Sequence, residues 1–514
     1  MSRRSRFLSG VSASYISVAA TIVYSLAIVP IGLRYLGVEQ FGLWMLLVQI
    51  SGYLALIELG VFGAAARVLI DHKDHQDSTA YSGVVATAWV ILAAQGAIMA
   101  AACWLLAPFV VQLFNIPADL QEVATYLLRF LGLSAGLATF FKIFSAILYA
   151  NQRIDLVWAF VALNPIISIF ILWPLMASDY GLSAILWSLF PPIIITSALS
   201  WIACRRLGLF PRAISLADVR LQKARELYSL GADFFLVNVG TQLLEASQLM
   251  IVSRTMGLTA AATWSVSTKL FALLYQLTAK LENTAVVFFS EMMVRGEHEK
   301  LQENFQKMYQ FTGSLAVCGM LAAVAVNPYF VGLWAGTEVL WSPVNNWLIA
   351  GLLVLNLLLR CHTDFAMHTK KSGLLRFLFF FESIAFVSLA LWAAPLFGFS
   401  GILVAAIVCA LAFRTSYSLR RTASYFSLPT SSVAIRWLAF LVLPAVIMGL
   451  VAAATPALVD HLHSPVSRLL AAAAITAVAG GTVLCSVGLS SPLRHALHEQ
   501  IRSFSIACFA TLRK

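Results

Sequence analysis

Charge is what this sequence has least of. Only 11% of its 514 residues are Asp, Glu, Lys or Arg, 60% are hydrophobic, and 23 acidic residues face 34 basic ones. Soluble globular chains carry about 25% charged residues, so this composition excludes a soluble fold and puts most of the chain in a membrane. Cysteine is sparse as well. Cys103, Cys204, Cys318, Cys361, Cys409, Cys485 and Cys508 are scattered without a CxxC, which argues for neither a disulfide framework nor a metal site. They read as packing residues. No GxxxxGK[ST] occurs, so nothing supports ATP hydrolysis by this chain. A nucleophile–base constellation is also lacking, and we expect neither an enzyme nor a cofactor.

What is there is a long series of apolar runs. Six lie between residues 10 and 203 (near 10–33, 41–66, 81–107, 122–150, 155–177 and 181–203). Eight more follow, near 226–253, 259–290, 306–335, 344–368, 375–396, 398–419, 436–456 and 466–489. Each approaches or exceeds the roughly 20 residues that one helical crossing takes, which predicts an all-α polytopic membrane protein of about fourteen transmembrane helices. A net charge of +11 alone would suit nucleic acid, but the basic residues fall in short loops between apolar runs. Counted in alternate loops, nearly all Lys and Arg, Arg414 among them, fall on one side. The other side holds only Arg34, Arg254 and Arg468. By the positive-inside rule both termini are then cytoplasmic and the partner is lipid, with no nucleic acid. The opposite loops are about a dozen residues or fewer, short by the usual range of connections and too short for a separate catalytic domain.

One stretch occurs twice. Arg34-Tyr35-Leu36-Gly37-Val38 through Trp44 returns 220 positions later as Arg254-Thr255-Met256-Gly257-Leu258 through Trp264. Arg, Gly and Trp recur in register, and a small residue (Gly42, Ala262) stands two before each Trp. Gly suits a sharp turn because it tolerates positive φ, and Trp at the edge of an apolar run suits a membrane interface. The spacing divides the chain into an N-terminal six-helix lobe (1–203), a basic linker (204–225) and a second six-helix lobe (226–420). Two extra helices (421–489) and a basic amphipathic tail (490–514) on the membrane surface complete the plan. Duplicated halves are the common build of secondary transporters.

Chemistry must then come from ionisable residues inside the runs, each of which costs about 2.5–3.5 kcal/mol near a helix centre on insertion scales. The acids are Glu58, Asp233, Glu245, Glu282, Asp364 and Glu382; the bases are Arg129, Lys142, Lys269, Lys280 and Arg360. Glu245 lies as far before Gly257 as Lys269 lies after it, and Asp233 and Lys280 nearly match. Two readings stand for these pairs: charges that neutralise each other across the hairpin, or a charged cavity wall that opens to a ligand. Lys142 and Arg360 are 218 apart, almost the repeat offset, and so place a cation at nearly one depth on equivalent helices. Asp364 is one turn after Arg360, whereas Lys142 has no acid within a turn on its own helix. Arg129 lies nearer a span end and can snorkel outward. Glu58 faces a Gly-rich turn as a hydrogen-bonding group or a cation site.

At residues 30–67 the sequence resembles a known family. The run Leu36-Gly37-Val38-Glu39-Gln40-Phe41-Gly42-Leu43-Trp44, then Ile57-Glu58-Leu59-Gly60 and Ala64-Ala65-Ala66-Arg67, is similar to the opening hairpin of polysaccharide-biosynthesis flippases. These are the O-antigen and exopolysaccharide translocases of the multidrug/oligosaccharidyl-lipid/polysaccharide exporter superfamily. Glu58 stands where Asp is commoner. The resemblance implies two six-helix lobes in a V about a central cavity, working by alternating access in a bacterial inner (cytoplasmic) membrane. It implies a polyprenyl-pyrophosphate-linked oligosaccharide as cargo, flipped from the inner to the outer leaflet, with polysaccharide polymerase and export machinery as further partners. Lys142, Arg360, Lys269, Lys280 and Arg129 are then candidate ligands for the pyrophosphate. Glu58, Asp233, Glu245, Asp364 and Glu382 are candidate charge partners or ion-coupling groups. Competing readings are a cation-coupled multidrug exporter, a lipid II flippase, and a membrane glycosyltransferase or polymerase. The mid-span bases favour an anionic cargo over cationic drugs, and the short loops disfavour the last.

Overall fold

A computed structural model describes residues 3–72, 79–211, 214–336, 341–368 and 374–488. The tail expected to be amphipathic, 490–514, lies outside the described residues. Among those described, the chain is helical throughout: α1 (Arg3–Leu54), α2 (Val61–His72), α3 (Thr79–Leu113), α4 (Ala118–Ala150), α5 (Ile154–Ala177) and α6 (Ser183–Arg206) come first. Then follow α7 (Leu221–Met256), α8 (Leu258–Ser267), α9 (Lys269–Arg295), α10 (His298–Trp334) and α11 (Pro343–His368). The last are α12 (Leu375–Cys409), α13 (Ser416–Tyr425), α14 (Thr430–Val459) and α15 (Pro465–Val483). Eleven described stretches are long and apolar enough to cross a membrane. Two of them, Ser12–Glu58 with 47 residues and Phe377–Tyr425 with 49, are more than twice the roughly 20 residues a crossing needs. Each bends at a glycine with non-helical backbone, Gly37 or Gly398, and so holds two crossings. Counting two crossings in each, the eleven stretches give thirteen, in keeping with the multi-pass plan of about fourteen expected from the runs.

The repeated turn is real at the level of backbone angles. Gly37 has φ 75° and ψ 176°, and Gly257, 220 residues on, has φ 90° and ψ 176°. Side chains with a Cβ rarely adopt this region, so glycine is required at both corners. The first corner is a hairpin. A straight helix would separate residues 32 and 44 by about 18 Å, yet a Cβ on Gly32 would stand 2.5 Å from the Phe41 ring and 3.2 Å from the Trp44 ring. The two corners also meet: a Cβ on Gly42 would collide with the carbonyl of Leu258, so the small residue in the motif permits backbone-to-backbone contact.

By contact density the chain divides into two compact units, 1–265 with 379–395, and 266–378 with 396–514. In the first, α3 and α4 pack along their length and touch backbone to backbone at Gly96 and Gly136. Its core gathers Tyr81, Leu92, Phe144 and Ile147 with Trp89 and Phe210, and the Tyr81 hydroxyl donates to the Leu209 carbonyl at 2.9 Å. In the second, α10 is the central rod against α9, α11, α14 and α15. Phe305, Tyr309 and Phe365 form its aromatic centre around His362, whose Nδ1 lies 3.0 Å from the Thr422 hydroxyl.

Candidate functional site

The first site begins with a break in a helix. After α1 the backbone tightens into a 3₁₀ turn, Ala55–Glu58, and then takes two left-handed residues, Leu59 (φ 50°) and Gly60 (φ 74°), before α2 resumes. A non-glycine residue in this conformation costs about 1–2 kcal/mol. Strain held in this way, beside backbone groups that helix geometry no longer satisfies, marks a cavity-lining element in membrane proteins. The contact of Gly96 with Gly136 brings the neighbouring residues of α3 and α4 onto this break. Gln95 Nε2 donates to the Glu58 carbonyl at 3.1 Å. Thr139 Oγ1, on the next turn of α4, lies 3.5 Å from Glu58 Oε1.

Lys142, one turn further along α4, completes the cluster. Its Nζ is 2.5 Å from Glu58 Oε1 and 5.7 Å from the centre of the Phe62 ring, within reach of a cation–π attraction. The lysine side chain is 39% exposed and the carboxylate 13%. On its open side Lys142 borders a cavity of about 140 Å³ shared by α4, α5 and α6, with Ser145, Asn164 and Thr196 as polar walls. A single flexible ammonium with one carboxylate partner, at the edge of a polar cavity, is built to exchange partners. An incoming anion can take the place of Glu58 without any helix moving far.

Arg360 on α11 is held quite differently. Its Nε lies 3.3 Å from Asp364 Oδ2 and 3.5 Å from Glu282 Oε2. Glu282, on α9, is only 2% exposed and also accepts from the Cys361 thiol at 3.2 Å. One turn before Arg360, Asn356 Oδ1 accepts from Arg414 Nη2 at 2.7 Å. Arg414 belongs to a π-helical turn, Ala410–Thr415, that joins α12 to α13. π-turns tend to occur at functional positions inside helices, and this one carries the guanidinium to Asn356 on α11.

The remaining candidates are scattered over both units. Arg129 Nε donates to the Trp104 carbonyl at 3.4 Å, its guanidinium 4.9 Å from that indole ring. It lines an open cavity of about 470 Å³ near the ends of α3 and α4, as a snorkelling residue would. Lys269 opens α9 just after the interruption at Thr268, and Lys280 lies three turns on. Glu245 is on α7; Glu245, Lys280 and Glu382 are each engaged with a neighbour. Glu382 is completely buried, and the side chain of Asp233 lies outside those described. The depth-matched pairings of Asp233 and Glu245 with Lys280 and Lys269 would join residues of the two units and stay as proposals. Among the described residues no group of three or more His, Cys, Asp or Glu is placed to hold a metal.

Residues 33–344, more than half the chain, match the family described as polysaccharide biosynthesis protein. No curated protein sequence matches. Among solved structures, the lipid II flippase MurJ in an inward closed conformation shares 12% identity with a TM-score of 0.70, covering 92% of this chain and 98% of that one. An inward-facing multidrug resistance MATE family transporter of the MOP superfamily also shares 12% identity, with a TM-score of 0.63 over 81% of this chain and 98% of that one. A Vibrio cholerae MATE transporter aligns at 13% identity and TM-score 0.58, over 84% and 98%. These likenesses concern the fold.

Proposed function

The chain belongs to the polysaccharide biosynthesis protein family, and from that premise we propose that it is a lipid-linked oligosaccharide flippase. Its cargo is a glycan on a polyprenyl pyrophosphate, carried from the inner to the outer leaflet of a bacterial inner membrane for surface polysaccharide assembly. Both termini lie on the cytoplasmic side. The observation that carries this reading is Lys142, a cation inside a membrane-spanning helix that borders a polar cavity and is restrained by a single acid. A pyrophosphate leaving water must find charge-assisted partners in the protein, and a cationic drug would be repelled there. The two-lobe plan of the duplicated turn supplies the alternating access.

In this reading the pyrophosphate takes Lys142 from Glu58, and the freed carboxylate then accepts a coupling cation or a neighbouring base. Lys269, Lys280 and Arg129 add positive potential along the path. Arg360 serves mainly to hold Glu282 and Asp364, and Asp233, Glu245 and Glu382 act as charge partners. The test is deletion of the gene followed by analysis of lipid-linked glycans. Polyprenyl-linked oligosaccharide accumulating on the cytoplasmic leaflet supports the proposal. An unchanged glycan profile together with lost drug resistance would replace it with a multidrug exporter.

A further inference from the structure

A second cavity lies on the other side of the broken helix. It has a volume of about 220 Å³ and is walled by the 52–60 segment and by α7, which offers Phe235, Asn238, Thr241 and Gln242. Phe235, Asn238 and Gln242 follow at three- and four-residue intervals and so form one stripe on one helix face, with Thr241 beside it. Gly52 lets Gln242 lie close against the segment: a Cβ there would stand 2.7 Å from Gln242 Nε2 and push that amide aside. Thr241 Oγ1 donates to the Val237 carbonyl at 2.8 Å, which leaves its lone pairs toward the cavity. Asn238 and Gln242 have no hydrogen-bond partner among the described residues. Among the described residues no charged side chain lines the cavity.

These two amides on a membrane-spanning helix, Asn238 exposed and Gln242 half-buried, suit a polar occupant better than a lipid tail, which would leave them unpaired. The described lining offers neither a phosphate nor an ammonium a counter-charge. What fits is a neutral group with both donors and acceptors on its rim and an apolar face. A sugar ring has this chemistry: primary amides donate to and accept from adjacent hydroxyls at once, and an aromatic side chain covers the C–H face. The volume falls below the roughly 300–1,000 Å³ of pockets for drug-sized ligands, which suits one ring rather than an oligosaccharide. We infer that this cavity is a sugar subsite, in which Asn238 and Gln242 bind hydroxyl groups of one residue of the glycan and Phe235 packs against its face. The inference rests on the flippase reading and adds a recognition element to it, separate from the Lys142 cation.

The test uses the full-length protein in lipid nanodiscs and two probes. One is the lipid-linked oligosaccharide extracted from a strain lacking the protein; the other is bare polyprenyl pyrophosphate. Wild type should bind the glycosylated lipid at least tenfold more tightly. Asn238→Leu with Gln242→Leu should bind both lipids alike, with the affinity of wild type for the bare one. Gly52→Ala, a milder change that displaces Gln242, should cut the preference at least threefold. Lys142→Ala should weaken both probes equally and keep the preference. A wild type with no preference, or a Gly52→Ala protein with an unchanged one, overturns the sugar subsite. Wild type that binds neither lipid overturns the flippase reading instead.

Discussion

Lys142 and Arg360 occupy nearly equivalent places in the duplicated sequence, yet their surroundings differ in the respect that matters for function. Lys142 has one acid, at 2.5 Å, and keeps 39% of its side chain exposed beside a cavity. Arg360 has two acids, one of them 2% exposed and further fixed by the Cys361 thiol. A lone flexible ion pair can trade its partner for a ligand; an arginine shared by two acids, one of them buried, cannot be released without leaving carboxylates unpaired. The comparison teaches that repeat position sets where a cation stands, and local partners decide what it does.

That difference can be broken by mutation. Arg360→Ala strips the partner from two carboxylates, one nearly fully buried, and should lower stability by about 3–5 kcal/mol. Thermal unfolding in detergent and the amount of protein in the membrane measure this. Arg414→Ala removes a hydrogen bond from a charged donor to Asn356 and should cost about 1.5–3 kcal/mol in the same assay, with export falling only as protein is lost. Lys142→Ala should cost at most about 1 kcal/mol, because its pair is partly exposed. Thr139→Val, which removes only a long contact to Glu58, should change stability by less than about 0.5 kcal/mol, below the range of a well-formed hydrogen bond. If Lys142→Ala proved as destabilising as Arg360→Ala, the two sites would be the same kind of device.

Much of the fold was legible in the residues because membrane burial writes long signals. The fourteen runs followed from length and hydropathy, and the duplicated corner from a single glycine spacing that backbone angles then matched at Gly37 and Gly257. The pairing of Arg360 with Asp364 was also legible, being one turn apart on a helix. The partner of Lys142 was not. Glu58 precedes it by 84 residues, and the pair depends on how the turn at 55–58 packs against α4. Glu282 was visible as an in-membrane acid, but its link to Arg360 depends on how α9 packs on α11. Nothing local announced the break at 55–60 apart from Gly60, because no proline stands there.

The central claim is that Lys142 is the cation that receives the pyrophosphate. The direct measurement is the lipid-linked oligosaccharide accumulated by cells carrying Lys142→Ala or Lys142→Arg at wild-type protein levels. The account predicts accumulation at least tenfold above wild type for alanine and a large share of normal export for arginine, which keeps the charge. Normal export by Lys142→Ala would contradict it.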